Sequence, residues 1–194
     1  MSLQGRHAAV TGAGSGIGRA TAERLAEAGC QITLIGRHLG RLTESADRIG
    51  DAAFVAPADV TDPDALAAAI EVGRDRFGPI DILINNAGAA SSAPFLKTSA
   101  ADLRAMLALN LEAPAEAMRL VLPGMLTRRW GRIVNVASTA GLKGYAYVSA
   151  YVAAKHGLVG LTRAVALEVA AKGVTVNAVC PGFTDTELVA RSVA

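Results

Sequence analysis

Over residues 138–155 the chain reads STAGLKGYAYVSAYVAAK, which places a hydroxyl, a phenol and an ammonium where they can act together on one reacting oxygen. Tyr151 and Lys155 stand at i, i+4 spacing, so on a helix both side chains share one face and can hold one ligand between them. A free phenol titrates near ~10, so a tyrosine that moves protons at neutral pH needs its phenolate stabilised. A neighbouring ammonium does this. Taken alone, the same short pattern also fits a tyrosine and a lysine on an ordinary helix surface, so the elements that position them must decide.

A second cluster lies near the amino terminus. The apolar run HAAVT over 7–11 reads as a buried strand that leads into GAGSGIG over 12–18 and then a helical pattern over 19–29. Glycines allow a sharp turn and close approach of the backbone to a ligand, while the free amides and dipole of a helix start attract phosphate. The turn therefore favours a pyrophosphate. Its glycines at 12, 16 and 18 are spaced more widely than the usual G-x-G-x-x-G, with Gly14 between them, and an ordinary tight turn fits as well. A second strand over 31–35 completes a βαβ unit. Dinucleotide sites commonly carry an acidic residue just past this strand, to bind ribose hydroxyls. Gly36 and Arg37 stand here instead. The missing carboxylate removes a repulsion and Arg37 offers a charged partner to a 2′-phosphate, which favours NADP(H) while leaving NAD(H) open. A merely solvated arginine is the simpler alternative.

The remaining elements alternate in the same manner. A helix over 39–49 is followed by a strand over 52–57, and Asp59-Val60 stands at its carboxyl end, where a cofactor edge is expected. Thr61 or Asp62 can cap the next helix, with Pro63 in its first turn and its end near Phe77. The strand over 80–84 breaks at NNAG, residues 85–88. Helical spacing runs over 99–129, with Asn110 among leucines, and Pro114 and Pro123 imply a kink or break. A polar amide at that point needs either a solvated face or a specific internal bond, and the solvated face is the simpler reading. A fifth strand over 132–136 ends at Ala137-Ser138, and a sixth covers 174–179. In an open parallel sheet ligands bind outside the carboxyl ends of the strands where the order reverses, so the loops after strands one, four and five must face one crevice. The helix over 152–171 is apolar on more than one face, so a homodimer or homotetramer through it and the 99–129 helix is expected.

Composition narrows the classes. A chain of 194 residues suits one domain, 1–194, with a core of its own. The net charge of +2, without basic runs, argues against nucleic-acid binding. No apolar run reaches the ~18 residues of a membrane span and no secretion signal is visible, so a cytoplasmic setting is expected. Cys30 and Cys180 read as buried free thiols beside apolar runs, and no metal site is expected. Hydrophobic residues at 52% with aromatics at 4% suit an aliphatic parallel sheet covered by helices.

Together these residues make the chain resemble the short-chain dehydrogenases/reductases from its amino terminus to its last residues. TGAGSGIG over 11–18 resembles the family's cofactor loop, in which the wider glycine spacing is normal. The resemblance implies an α/β, Rossmann-type doubly wound parallel sheet with helices on both faces. It also implies cofactor contacts from Gly12, Ser15, Gly16, Ile17, Gly18, Arg37, Asp59 and Val60. Further contacts would come from Asn86, Ala87, Gly88, Tyr151, Lys155, Pro181, Gly182, Thr184 and Thr186. Asn110, Ser138, Tyr151 and Lys155 match the family's catalytic tetrad. In those roles Tyr151 exchanges a proton with the substrate oxygen, Ser138 holds that oxygen, Lys155 binds ribose hydroxyls and lowers the phenol pKa, and Asn110 holds a relay water.

Family members commonly continue past the Pro-Gly segment into a seventh strand and a substrate lid, so the chain reads as the first part of a longer protein. The run over 151–186 resembles reductases of 3-oxoacyl thioesters, polyketide ketoreductases and 3-hydroxybutyrate-type dehydrogenases, of which 3-oxoacyl thioester reduction is preferred here. A non-catalytic dinucleotide sensor is the alternative of a different class. Arg128, Arg129 and Arg132 offer either contacts to a carrier phosphate or a solvated helix end.

Overall fold

The computed structural model describes residues 2–184. Its strands are β1 (His7–Thr11), β2 (Gln31–Gly36), β3 (Ala53–Pro57), β4 (Ile82–Asn85), β5 (Gly131–Val136) and β6 (Val174–Val179). They form one parallel sheet in the order β3-β2-β1-β4-β5-β6. The order reverses between β1 and β4, which makes their carboxyl ends the switch point of the sheet.

Alternation along each strand sends side chains to two different cores. Ala8, Val10, Ile32, Leu34, Ile82 and Ile84 pack on one face with Ala22 of α1 (Gly16–Glu27) and Leu42 of α2 (Leu39–Ile49). Ala9, Ile35, Leu83 and Ile133 pack on the other with Leu66 and Ile70 of α3 (Pro63–Phe77) and Met118 of α5 (Ala113–Thr127). Burying each leucine or isoleucine contributes about 1.5–3 kcal/mol. The near-continuous apolar strands of the sequence are thus explained by helices on both sides.

Several boundaries differ from those expected, each for a local reason. Helix α1 begins at Gly16, not Arg19, after Ser15 in extended conformation, so the glycine turn itself supplies the first-turn amides. Helix α3 starts as expected, with Asp62 accepting from the Asp64 and Ala65 amides at 3.0 and 3.1 Å. The 99–129 segment is divided into α4 (Ala100–Leu107), a π turn (Ala108–Glu112) and α5. The break falls before Pro114, whereas Pro123 lies inside continuous α5. Helix α6 (Ser149–Val169) begins three residues before the expected 152, and so takes in Tyr151 as well as Lys155.

At the edge where the strands start, Trp130 lies between two guanidinium groups, with Arg6 3.9 Å and Arg132 4.7 Å from its ring centroid. Arg128 donates to the Ile80 carbonyl there at 2.7 Å. These arginines brace the strand starts and lie at the opposite edge from Ser138, so a carrier contact beside the site is not their role. Cys30 is buried as expected, but Cys180 is partly exposed, and both are free thiols. Among the described residues no helix is long and apolar enough to cross a membrane.

Candidate active site

Thr11 ties the switch point together. Its hydroxyl accepts from the Asn86 and Ala87 amides at 2.9 and 3.0 Å, while the Asn86 side chain donates back to the Thr11 and Gly12 carbonyls at 3.0 and 3.2 Å. The turn after β1 is therefore bound to the turn after β4. Gly18 is required at this junction, because a Cβ there would overlap the Gly12 carbonyl and the Asn86 amide. Gly12 at φ 65 and Gly16 at φ 51 adopt a backbone that side chains rarely tolerate. The sequence reading placed Thr11 in the cofactor-loop motif but gave it no role of its own, although a hydroxyl at the carboxyl end of a buried strand was a visible signal.

Two adjoining cavities follow the carboxyl edge of the sheet. The first is lined by Gly12, Ser15, Arg37, Asp59, Val60 and Ala87, and the second by Ile17, Asn86, Ser138, Tyr151, Lys155 and Pro181. Gly88 and Ala89 belong to both, so the two form one cleft. Gly182 and Thr184 also line the second, whereas Thr186 lies outside the described residues. From β2 to β5 the cleft crosses three strand spacings, roughly 14 Å. Such a span accommodates an extended ligand with a ring system at each end, and the glycine cradle and α1 start lie midway, where a pyrophosphate would. These residues fit a nicotinamide dinucleotide.

At the β2–β3 end, Arg37 lies 3.8 Å from Asp59, both well exposed to solvent. The Asp59 carboxyl is held below its ordinary range first by the Thr61 amide and hydroxyl, with Arg37 a lesser cause. His38 and Arg41 line the same cavity and were not singled out in sequence. Among the described residues no group of three His, Cys, Asp or Glu could hold a metal ion.

The other end brings Asn110, Ser138, Tyr151 and Lys155 around one space. Asn110 sits in the π turn, fully buried, so the solvated reading of it does not hold. Its amide nitrogen donates to the Ala89 and Met106 carbonyls at 3.0 and 3.1 Å. Its Oδ1 is buried without a protein partner. A Cβ placed on Gly88 would stand 2.9 Å from that oxygen and 3.6 Å from Lys155 Nζ, so all three groups border one small volume. Lys155 is 4% exposed and donates to the Val136 carbonyl at 2.9 Å. Burial pushes its ammonium down to about 8, which proximity to Cys180 partly opposes.

The expected effect of Lys155 on the phenol is not realised in this arrangement. Burial raises the Tyr151 pKa, opposed by the neighbouring Ser138 hydroxyl. The physical reason is that Nζ stands 5.7 Å from the Tyr151 ring centroid and is committed to Val136. A phenol kept protonated is poised as an acid.

A family model described as short chain dehydrogenase matches residues 6–194. The chain is 41% identical over 191 residues to a D-beta-hydroxybutyrate dehydrogenase of Rhizobium meliloti, covering 96% of this chain and 74% of that one. It is 38% identical over 188 residues to a 3-oxoacyl-(acyl-carrier-protein) reductase of Vibrio cholerae, covering 97% and 77%. A solved structure of an actinorhodin polyketide ketoreductase variant with NADPH superposes with a TM-score of 0.93 at 37% identity, covering 96% of this chain and 73% of that one.

Proposed function

From the chain's membership of the short-chain dehydrogenase family, we propose that it transfers hydride between NADP(H) and a 3-oxoacyl thioester or its 3-hydroxy product. The coarser statement needs no proposal: the chain is an oxidoreductase of the family that interconverts alcohols and carbonyls. The observation that carries the hydride-transfer reading is the convergence of Asn110, Ser138, Tyr151 and Lys155 on one cavity that joins the glycine cradle.

The nicotinamide, when bound, supplies or accepts the hydride. In the reductive direction the carbonyl carbon gains that hydride, its π electrons move to oxygen, and the oxygen takes the Tyr151 proton. The raised phenol pKa keeps this proton in place at neutral pH. Ser138 holds the same oxygen and stabilises its developing charge. Lys155 has three donors, of which one is engaged by Val136, leaving donors for ribose hydroxyls and for a water. With its pKa near 8 it can pass a proton onward around neutral pH, and the unpartnered Asn110 Oδ1 is the acceptor that would hold the relaying water.

Support for NADP(H) is the Gly36-Arg37 pair at the open end of the cleft, without a carboxylate on the residue that ends β2. Relatives named for 3-oxoacyl and polyketide ketoacyl reduction support the thioester. A homodimer or homotetramer through α4, α5 and α6 fits the 82% exposure of Leu167 on α6, and sedimentation at micromolar concentration tests it. Two free thiols fit a reducing, cytoplasmic setting.

The test is NADPH oxidation with an acetoacetyl thioester. Tyr151→Phe should lower turnover by about 10²–10⁴-fold while NADPH binding stays within a few fold. Retained turnover in that variant overturns the mechanism.

A further inference from the structure

Gly14 stands in the loop between β1 and α1, and the hydride chemistry does not account for it. A Cβ there would stand 3.0 Å from the Cβ of Arg41, so the loop lies flush against the first turn of α2. Two polar side chains that line neither cavity hold this loop from behind. Ser45 of α2 is fully buried, and its hydroxyl proton is shared between the Ala13 and Arg41 carbonyls, each at 3.0 Å. Arg19 of α1 donates its Nε to Ser45 Oγ at 3.0 Å, and one terminal nitrogen to the Gly14 carbonyl and to Glu44, the latter at 3.1 Å.

A trans peptide carries its carbonyl and its amide on opposite sides. With the Ala13 carbonyl turned to Ser45 and the Gly14 carbonyl to Arg19, the amides of Gly14 and Ser15 face the other way. Both residues line the cleft while neither gripping side chain does, so these amides face the place of the pyrophosphate. A glycine accepts φ of either sign, so the peptide between Ala13 and Gly14 can turn over unless something holds it. Turned over, it would present a carbonyl oxygen to a phosphate and replace attraction by repulsion.

We propose that Arg19 and Ser45 are positioning residues for the dinucleotide: they hold two loop carbonyls out of the cleft, so that two amides meet the pyrophosphate. This rests on the dinucleotide reading above and adds the side chains that keep its cradle in shape. Arg19 acts through the loop and not as a charge on the phosphates, because Glu44 pairs with it.

NADPH binding to the full chain is followed by nicotinamide fluorescence, with adenosine 2′-phosphate, which has no pyrophosphate, as competitor. Arg19→Met and Ser45→Ala should each weaken NADPH by about tenfold or more, with kcat at saturating cofactor within about threefold of wild type. Binding of adenosine 2′-phosphate should stay within about threefold in both variants. Arg19→Lys, whose ammonium can still donate to the Gly14 carbonyl, should regain most of the NADPH affinity. Glu44→Gln should leave it unchanged. Unchanged NADPH affinity in Ser45→Ala, whether or not Arg19→Met folds, overturns the proposal alone. So does an equal loss for both ligands, which marks a displaced α2 and not a turned cradle. Tighter NADPH binding in Glu44→Gln shows Arg19 acting as a bare charge and overturns its positioning role. A wild-type chain that binds neither NADPH nor NADH overturns the dinucleotide reading itself, and this proposal with it.

Discussion

Lys155 carries an ammonium into the interior, where it donates to the Val136 carbonyl. Its descent from 10.5 to about 8 corresponds to roughly 3 kcal/mol of unfavourable charge burial. Between about pH 8 and 10.5 the unfolded chain binds the proton that the folded chain has released, so stability should rise with pH across that window. Lys155→Met removes the burden. Its thermal midpoint should exceed that of the wild type at pH 7, and the gap should narrow by pH 9.5; a gap independent of pH contradicts this. Gly88→Ala places a methyl against Asn110 Oδ1 and near Lys155 Nζ, without backbone strain, and should lower kcat by about 10–100-fold with circular dichroism unchanged. Ser138, Tyr151 and Lys155 were legible in sequence because their spacing is local. The burial of Asn110 and the direction of the Tyr151 shift were not, because both depend on segments brought together from Ala89 to Cys180.

Positioning depends on elements that the proton chemistry never touches. A buried ladder crosses the molecule beneath the site: Asn85 donates to Asn135 at 2.9 Å, and Asn135 donates to Thr162 of α6 at 2.9 Å. Asn85 also reaches the Pro114 carbonyl at 3.2 Å, which links β4, β5, α5 and α6. Thr162→Val keeps the shape but leaves the Asn135 amide without its oxygen, and should lower stability by about 1–3 kcal/mol in urea unfolding. Thr162→Ser should recover most of it. The ladder escaped the sequence reading because an asparagine inside an apolar strand announces a need for partners without naming them. Periodicity set the helices within a few residues, and it blurred at the π turn, whose extra residue still permits helical spacing on both sides. Pro123 was expected to break or kink α5 but is accommodated there, after Arg119, an exposed residue whose carbonyl loses its usual donor to the proline ring.

At the scale of the whole molecule, a doubly wound parallel sheet was predictable from alternating strand and helix patterns, because parallel strands joined through helices need crossovers that cover both faces. What could not be read was the pairing across its far edge. His7 is 1% exposed, with Nδ1 2.8 Å from the Gly78 carbonyl and Nε2 2.8 Å from the Thr33 hydroxyl. Burial lowers its pKa from 6.5, the Gly78 bond opposing, so the unfolded chain takes up a proton first as pH falls. Stability from the neutral ring is complete above 6.5 and is lost as pH drops through the lower folded value. Thermal midpoints should fall below pH 6.5 and fall less steeply in His7→Gln. A cleft built across four strands also makes cofactor a clamp: NADPH at 100 times its Kd should add about 2.7 kcal/mol to unfolding stability, and Arg37→Ala should reduce this for NADPH more than for NADH. The Arg6–Trp130–Arg132 stack turns the opposite edge into an optical gauge, since Trp130 is the only tryptophan of the chain and its emission wavelength reports whether the strand starts remain together. Bound nicotinamide fluorescence reports the other edge, so one denaturant titration records both ends of the same strands in two colours. Coincident curves mark a single cooperative sheet, and an earlier nicotinamide curve marks a site that loosens while its scaffold still stands.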